Sequence, residues 1–380
     1  MISLRKKIGI FTWCNRGVNY GQTLQAFAMY RIMCKMGCQA KLIQYRKRIE
    51  EEPVNHDLGN PYANSIYEFF WGLYRAGSDF WKEKIKFNIF TKRYIKTSAF
   101  CYDKQKAERE IEDCDAIVCG SDQIWNPASF DPVYFLNLGK ESLKRISYAP
   151  SINDDIDFEK KKHIYRRMSD CLKRMDALSV REDIGVTIIE KISGFHAVQV
   201  LDPTLLLPCT EWDKVASKRL LHKPYLICYV LGEIAQQEET IVRIAKERGI
   251  SNIYFINTRN TQNYQKQSKE LKELKGIGPK EFVSLIKYAD VVFTDSFHAT
   301  AFSINYQKEF FAFRRYQMAT EYGGASRIQS ILRLLQLEER FIDAKTETSF
   351  IKLIDYNKVS NRLNQERKKS YHFLKEALND

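Results

Sequence analysis

The sequence predicts an α/β protein built from two Rossmann-like domains that face one cleft. Three observations predict it. Short apolar runs rich in β-branched residues recur, and each leads into a polar loop and then into a helical pattern. These strand–loop–helix units come as two successive series, one starting at residue 7 and one near residue 224. The chain has 380 residues, a length that suits two domains at about 100–200 residues each.

The first series opens with the strand "KIGIFTW" (7–13), the loop "NRGVNYG" and the helical stretch "QTLQAFAMYRIMCKMG", which stops at Gly37, a residue suited to a helix C-terminus. "CQAKLIQY" is the next strand. Residues 50–100 are rich in aromatics and lysine with weak periodicity, and read as helical insertions forming a lid or docking surface. "CDAIVCGSDQIWN" (114–126) returns to strand and polar loop, "RISYAPSI" (145–152) is a strand, and a helix over 161–175 leads to the short strand "ALSV". "AVQVLDPTLLL" (197–207) is a further strand and loop. In the second series the strands are "PYLICYVLG", "NIYFIN", "VVFTD" and "EFFAF". Its helices are "QQEETIVRIAKERG", "GPKEFVSLIKYAD" with Pro at the favoured first turn, "SFHATAFSINY" and the amphipathic "SRIQSILRLLQL". This divides the chain into an N-terminal domain over 1–210 on the acceptor side, a C-terminal domain over 211–350 on the donor side, and a basic helix over 351–380 packing back on the N-terminal domain.

Composition narrows the class. Hydrophobic residues make up 44% and charged residues 28%, ordinary for a globular protein. No run reaches the roughly 18 apolar residues of a spanning helix, and the N-terminus reads as a first strand rather than a signal peptide. The nine cysteines are scattered with no CxxC repeat, which argues against a zinc site and for a reducing, cytoplasmic setting. The net charge of +13 is concentrated in runs at 46–52, 82–96, 160–167 and 361–370. No nucleic-acid motif accompanies it, so the expected partner for this charge is the inner face of an anionic membrane, and the ordinary alternative is a set of solvated helix faces.

Four polar loops follow predicted strands, where α/β sheets bind ligands. Asn19, Tyr20, Gly21 and Gln22 open a helix, either as an anion site or as a plain turn. Ser121, Asp122, Gln123, Trp125 and Asn126 suit a sugar by hydrogen bonding and stacking, or form a capped turn over a buried Trp. Arg181 in "SVRED" is placed for bidentate binding of carboxylate or phosphate, or for a surface ion pair. "FTDSFHAT" sets Asp295, Ser296 and His298 after a strand, with His298 suited to phosphate contact or proton transfer, or to a satisfied helix start. Arg314, Arg315 and Arg327 follow and complete a candidate cationic patch.

In order, "NYGQTLQAFAM", "DAIVCGSDQIWN", "ALSVREDIG", "LDPTLLL", "ADVVFTDSFHATAFSI" and "SRIQSILRLLQLEERFI" resemble the polysaccharide pyruvyl transferase family over roughly residues 7–345. The resemblance implies a GT-B-like fold, phosphoenolpyruvate as donor and co-substrate, no other cofactor, and no metal. It implies a sugar or lipid-linked oligosaccharide acceptor whose hydroxyl pair becomes a pyruvate ketal, in surface or capsular polysaccharide synthesis. A Ser-Asp-Arg-Leu-His-Gly-like family motif aligns with Thr294, Asp295, Ser296, Phe297, His298 and Ala299, so His298 carries over and Ser296 stands at the arginine position. The expected donor contacts are then Arg181, Ser296, His298, Arg314 and Arg327. Acid–base roles fall to His298, Asp122 and Asp295, and acceptor contacts to Asn19, Tyr20, Gln22, Ser121, Gln123, Trp125 and Asn126. Two other readings stay open. One is a GT-B-like glycosyltransferase using a nucleotide sugar. The other is a non-catalytic basic protein docking glycan enzymes on a membrane.

Overall fold

The computed structural model describes residues 5–14, 17–47, 79–152, 161–256, 269–314, 325–343 and 346–379. Most of the 50–100 stretch, the run at 46–52 beyond Lys47, and Arg315 lie outside these residues.

The first sheet is parallel, in the order β3-β2-β1-β4-β5. Its strands are β1 (Lys7–Phe11), β2 (Gln39–Tyr45), β3 (Thr97–Cys101), β4 (Ala116–Cys119) and β5 (Lys144–Ser147). Helices α1 (Tyr20–Lys35), α2 (Asp79–Tyr94), α3 (Lys104–Glu110) and α4 (Lys162–Leu172) connect or flank them. All four residues of β4 are buried, as expected of a strand covered on both faces. A two-stranded parallel pair, β6 (Ser179–Val180) and β7 (Val198–Gln199), encloses α5 (Asp183–Ser193), and short helices α6 (Pro203–Leu206) and α7 (Cys209–Trp212) follow. The sequence reading of 50–100 as helical therefore needs one correction: its last residues, Thr97–Cys101, form an edge strand.

The second sheet is also parallel, in the order β10-β9-β8-β11-β12-β13. Its strands are β8 (Leu226–Tyr229), β9 (Ile253–Ile256), β10 (Leu271–Leu274), β11 (Val291–Thr294), β12 (Glu309–Phe313) and β13 (Phe341–Ile342). Helices α8 (Glu238–Glu247), α9 (Pro279–Lys287), α10 (Phe297–Asn305) and α11 (Ala325–Leu335) are interleaved, and α12 (Tyr356–Asn379) ends the chain.

Strand order reverses beside β1 in the first sheet and beside β8 in the second. Ligands of open α/β sheets bind at such switch points, outside the strand carboxyl ends. Between the sheets lies one continuous apolar core, which joins Ile8, Leu24 and Phe27 to Trp212, Phe282 and Phe302. Helix α1 runs through it: every residue from Tyr20 to Met29 is buried. Tyr20 stacks on Phe282 at 4.4 Å between ring centroids and donates its hydroxyl to the Ile277 carbonyl oxygen at 2.8 Å. Helix α12 crosses the same junction. Its Arg367 donates to the Leu205 carbonyl at 2.9 Å and to Asn305 Oδ1 at 3.0 Å, and its Ser370 Oγ accepts from the Leu201 amide at 2.9 Å.

Candidate active site

Loops after β1, β4, β6, β7 and β11 converge on a buried charged cluster. Gly120 lets the first two meet, because a Cβ there would stand 3.1 Å from Thr12 Cβ. Thr12 Oγ1 donates to the Ser121 carbonyl at 2.8 Å, and Gln25 Nε2 donates to Thr12 Oγ1 at 2.8 Å and to the Trp13 carbonyl at 2.9 Å. The next residue, Asp122, takes a left-handed backbone (φ 77°), which Asp tolerates better than most side chains. Its carbonyl accepts the Ser151 amide at 2.8 Å, which ties this loop to the one after β5.

Arg181, directly after β6, is the centre of the cluster and is 5% exposed. Its Nε donates to Glu182 Oε1 at 2.7 Å, and its Nη1 donates to Asp202 Oδ2 at 2.9 Å and to Ser121 Oγ at 3.2 Å. Its guanidinium carbon lies 4.1 Å from the centroid of the Phe297 ring, a cation–π contact. Burial works against the charge, but Glu182, Asp202 and Asp122 together outweigh it and hold the guanidinium charged.

Asp202 is the anionic counterpart. Its Oδ2 also accepts from Ser121 Oγ at 2.5 Å, while Oδ1 caps α6 by accepting from the Thr204 amide at 2.8 Å and Thr204 Oγ1 at 2.6 Å. Burial pushes its carboxyl up, but His298 when protonated, Arg181, and the Ser121 and Thr204 hydroxyls outweigh it and hold the carboxyl below the usual carboxylate range. Since His298 itself leans neutral, the permanent cation Arg181 is what keeps Asp202 ionised.

His298 sits in the first turn of α10, and its Nε2 is 3.8 Å from Asp202 Oδ2. Its ring lies directly on the backbone of α1, where a Cβ on Gly21 would fall 2.2 Å from His298 Nδ1. Burial lowers its pKa below the ordinary 6.5, Arg181 and Arg327 push the same way, and Asp202 and Asp122 only partly oppose them. At neutral pH His298 is therefore a neutral imidazole. His298 Nε2 and Arg181 Nη2 are both buried with no hydrogen-bond partner among the described residues.

The other predicted residues divide. Ser121 and Asp122 belong to the cluster. Gln123 reaches across to α11: with its amide oxygen facing that helix, it accepts from Arg327 Nη2 at 2.8 Å. Asp295 is occupied elsewhere. Its two oxygens accept the Leu231 and Gly232 amides at 2.7 and 2.8 Å, pinning the loop after β8. Ser296 is the buried residue before α10, and its amide donates to Thr294 Oγ1 at 3.0 Å. Arg314 is exposed one residue past β12. Asn19 caps α1, its Oδ1 accepting the Gln22 amide at 3.1 Å, and Gln22 is buried behind it. Tyr20 is used up in the core. Trp125 is fully buried, stacked on Phe135 at 4.7 Å, and donates Nε1 to the Tyr134 carbonyl at 3.0 Å, so neither ring face is open to a sugar. Asn126 caps the 3-10 turn Pro127–Ser129.

Sequence reasoning did not single out Asp202, Glu182 or Phe297 as site residues, and it placed Gly21 in a candidate anion loop rather than under His298. "DPT" signals a helix cap, which Asp202 is. Nothing local says that its second oxygen meets Arg181.

A family model described as polysaccharide pyruvyl transferase matches residues 19–315, a span that contains Ser121, Asp122, Arg181, Glu182, Asp202 and His298. The chain belongs to the polysaccharide pyruvyl transferase family. That membership makes the cluster the candidate centre of a transferase. Curated proteins give no match in sequence. Solved structures similar in fold include a UDP-N-acetylglucosamine 2-epimerase at 9% identity, with TM-score 0.53 over 98% of this chain and 95% of that one. Another is S. aureus MnaA with UDP, at 8% identity and TM-score 0.51 over 96% of each chain. A third is the Neisseria meningitidis UDP-GlcNAc 2-epimerase bound to UDP-GlcNAc, at 10% identity and TM-score 0.50 over 98% of this chain and 100% of that one. At such identities the likeness is one of fold: the GT-B plan of two Rossmann-like domains, which agrees with the two parallel sheets. Among the described residues no helix is long and apolar enough to cross a membrane, and no group of three or more His, Cys, Asp or Glu is placed to hold a metal ion.

Proposed function

We propose that the chain transfers pyruvate from phosphoenolpyruvate to two hydroxyls of a sugar, forming a ketal, in the synthesis of a surface or capsular polysaccharide. Family membership supports a pyruvyl transferase. The observation that carries the donor assignment is the pair of buried, unpartnered polar atoms Arg181 Nη2 and His298 Nε2, set beside Arg327 at the strand carboxyl ends. Buried polar groups are almost always satisfied; an anion carrying phosphate and carboxylate supplies an acceptor for Arg181 Nη2, and an attacking hydroxyl supplies a proton donor for the lone pair of a neutral His298 Nε2.

The chemistry follows from the donor. A proton adds to the methylene carbon of phosphoenolpyruvate and turns it into a methyl group. The adjacent carbon becomes electrophilic and takes a sugar hydroxyl, whose proton passes to a base. The carbon–oxygen bond to phosphate then breaks, and the second hydroxyl adds and loses its proton, closing the ring. The products are the ketal and inorganic phosphate. Neutral His298 suits the base for the attacking hydroxyl and, once protonated, donates to the departing phosphate. Arg181 and Arg327 hold donor charge. Asp202 keeps Arg181 charged and in place, and Asp122 is the second candidate for proton transfer.

The test is transfer of label. Phosphoenolpyruvate labelled in its methylene carbon is incubated with the chain and with cell-surface glycan freed of pyruvate by mild acid. Acid-labile label in the glycan, matched by released phosphate, supports the reading. No incorporation, with release of UDP from a UDP-sugar supplied in parallel, would replace it by a glycosyltransferase.

A further inference from the structure

Helix α2 buries one face and presents the other. Phe87 and Phe90 are each 1% exposed and Glu83 8%, all turned toward the core. Glu83 accepts the Gly276 amide at 3.1 Å, and Lys86 donates to the Gly276 carbonyl at 2.8 Å and to Glu281 at 3.0 Å. On the outer side, Ile85 and Ile89 are 47% and 57% exposed. At about 100° per residue they stand roughly 40° apart and form one ridge. Lys82, Lys84, Lys92 and Arg93 are exposed around that ridge. From Trp81 to Tyr94 the one acid is the inward-facing Glu83.

A single exposed isoleucine needs no explanation. Two on one ridge, flanked by Lys84, Lys92 and Arg93 and with no outward acid from Trp81 to Tyr94, match the interface of an anionic bilayer: apolar atoms enter the headgroup boundary while the cations meet lipid phosphates. We propose that this face of α2 docks the chain on an anionic phospholipid surface. The inner face of the same helix packs Phe87 on Tyr20 with ring centroids 5.1 Å apart, and Tyr20 adjoins Gly21, against which His298 rests. Helix α2 and His298 therefore pack against adjacent residues in the first turn of α1. The proposal does not depend on the donor or on the reaction assigned above.

The test uses the full-length chain and sedimentation with vesicles of phosphatidylcholine alone or mixed with phosphatidylglycerol, at low and high salt. Two variants are compared with wild type, one carrying Ile85→Ser and Ile89→Ser, the other Lys82→Gln, Lys84→Gln, Lys92→Gln and Arg93→Gln. Thermal melting checks that both remain folded. Wild type is expected to bind the mixed vesicles and to lose binding at high salt. Each neutralised cation should weaken binding about fivefold, and the paired serines about tenfold or more. Three results would each overturn the proposal. These are failure of wild type to bind phosphatidylglycerol vesicles; unchanged affinity in the paired-serine variant, placing the contact on another basic segment; and loss in that variant of a dimer seen by light scattering, making a second copy the occupant.

Discussion

Residue by residue, the candidate site holds charges where water would normally be needed. Arg181 is buried yet charged because Glu182 and Asp202 each bond a different nitrogen of its guanidinium. His298 is kept neutral by the same burial. Its folded-state pKa lies below 6.5, so the unfolded chain takes up a proton first as pH falls, and this residue's contribution to stability is lost below that range. The proposed catalysis follows the same titration. With His298 as the proposed base, protonation removes activity, so kcat/KM should fall on the acid side with a midpoint below 6.5. His298→Asn should remove that limb and reduce kcat/KM by about 10²–10⁴-fold. An unchanged acid limb in the variant would assign the titration to another group. Asp202 shows why this scale was only partly legible in the sequence. Its cap to Thr204 is local and readable in "DPT", whereas its bonds to Ser121 and Arg181 join residues 81 and 21 positions away. Trp125 shows the converse: a polar loop looked suited to a sugar, but its ring went to Phe135.

At the scale of elements, the legible parts were those whose burial leaves a pattern. The central strands β1, β4, β8 and β11 are apolar runs because both of their faces are covered. The strands missed, β3, β10 and β13, all lie at sheet edges, where one side faces no neighbour and polar residues such as those of "LKEL" are tolerated. The contact between α1 and α10 was not legible either, because it depends on the absence of a side chain. Gly21 allows the His298 ring to lie on the α1 backbone. Gly21→Ala would place a methyl group 2.2 Å from Nδ1 and force the imidazole away. The expected outcome is a loss of about 10²-fold in kcat, with about 1–3 kcal/mol of destabilisation from overpacking. Kinetics and thermal melting check both parts, and wild-type kcat would show that the ring position does not matter.

Taken whole, the molecule is two sheets sharing one core. Tyr20 on α1 reaches Phe282 and Ile277 beside the second sheet, and Arg367 on the last helix reaches Leu205 and Asn305. Neither half can be exposed without opening apolar surface on the other. Urea unfolding should thus be one transition, with far-UV and near-UV circular dichroism coincident. Tyr20→Phe should lower stability by about 1 kcal/mol without splitting it. Two separated transitions would mean that the halves fold independently. The shared core also explains how a site can be assembled from both sheets, with Arg181 and Asp202 from one side and His298 and Arg327 from the other.

The central claim is that this shared cluster binds phosphoenolpyruvate. The most direct measurement is calorimetric titration of phosphoenolpyruvate into wild type, Arg327→Gln and His298→Asn, since neither substitution strips Asp202 of its Arg181 partner. The account predicts binding by wild type, weakened about tenfold or more in each variant. Equal affinity in all three proteins, or heat of binding from UDP-sugars and none from phosphoenolpyruvate, would contradict it.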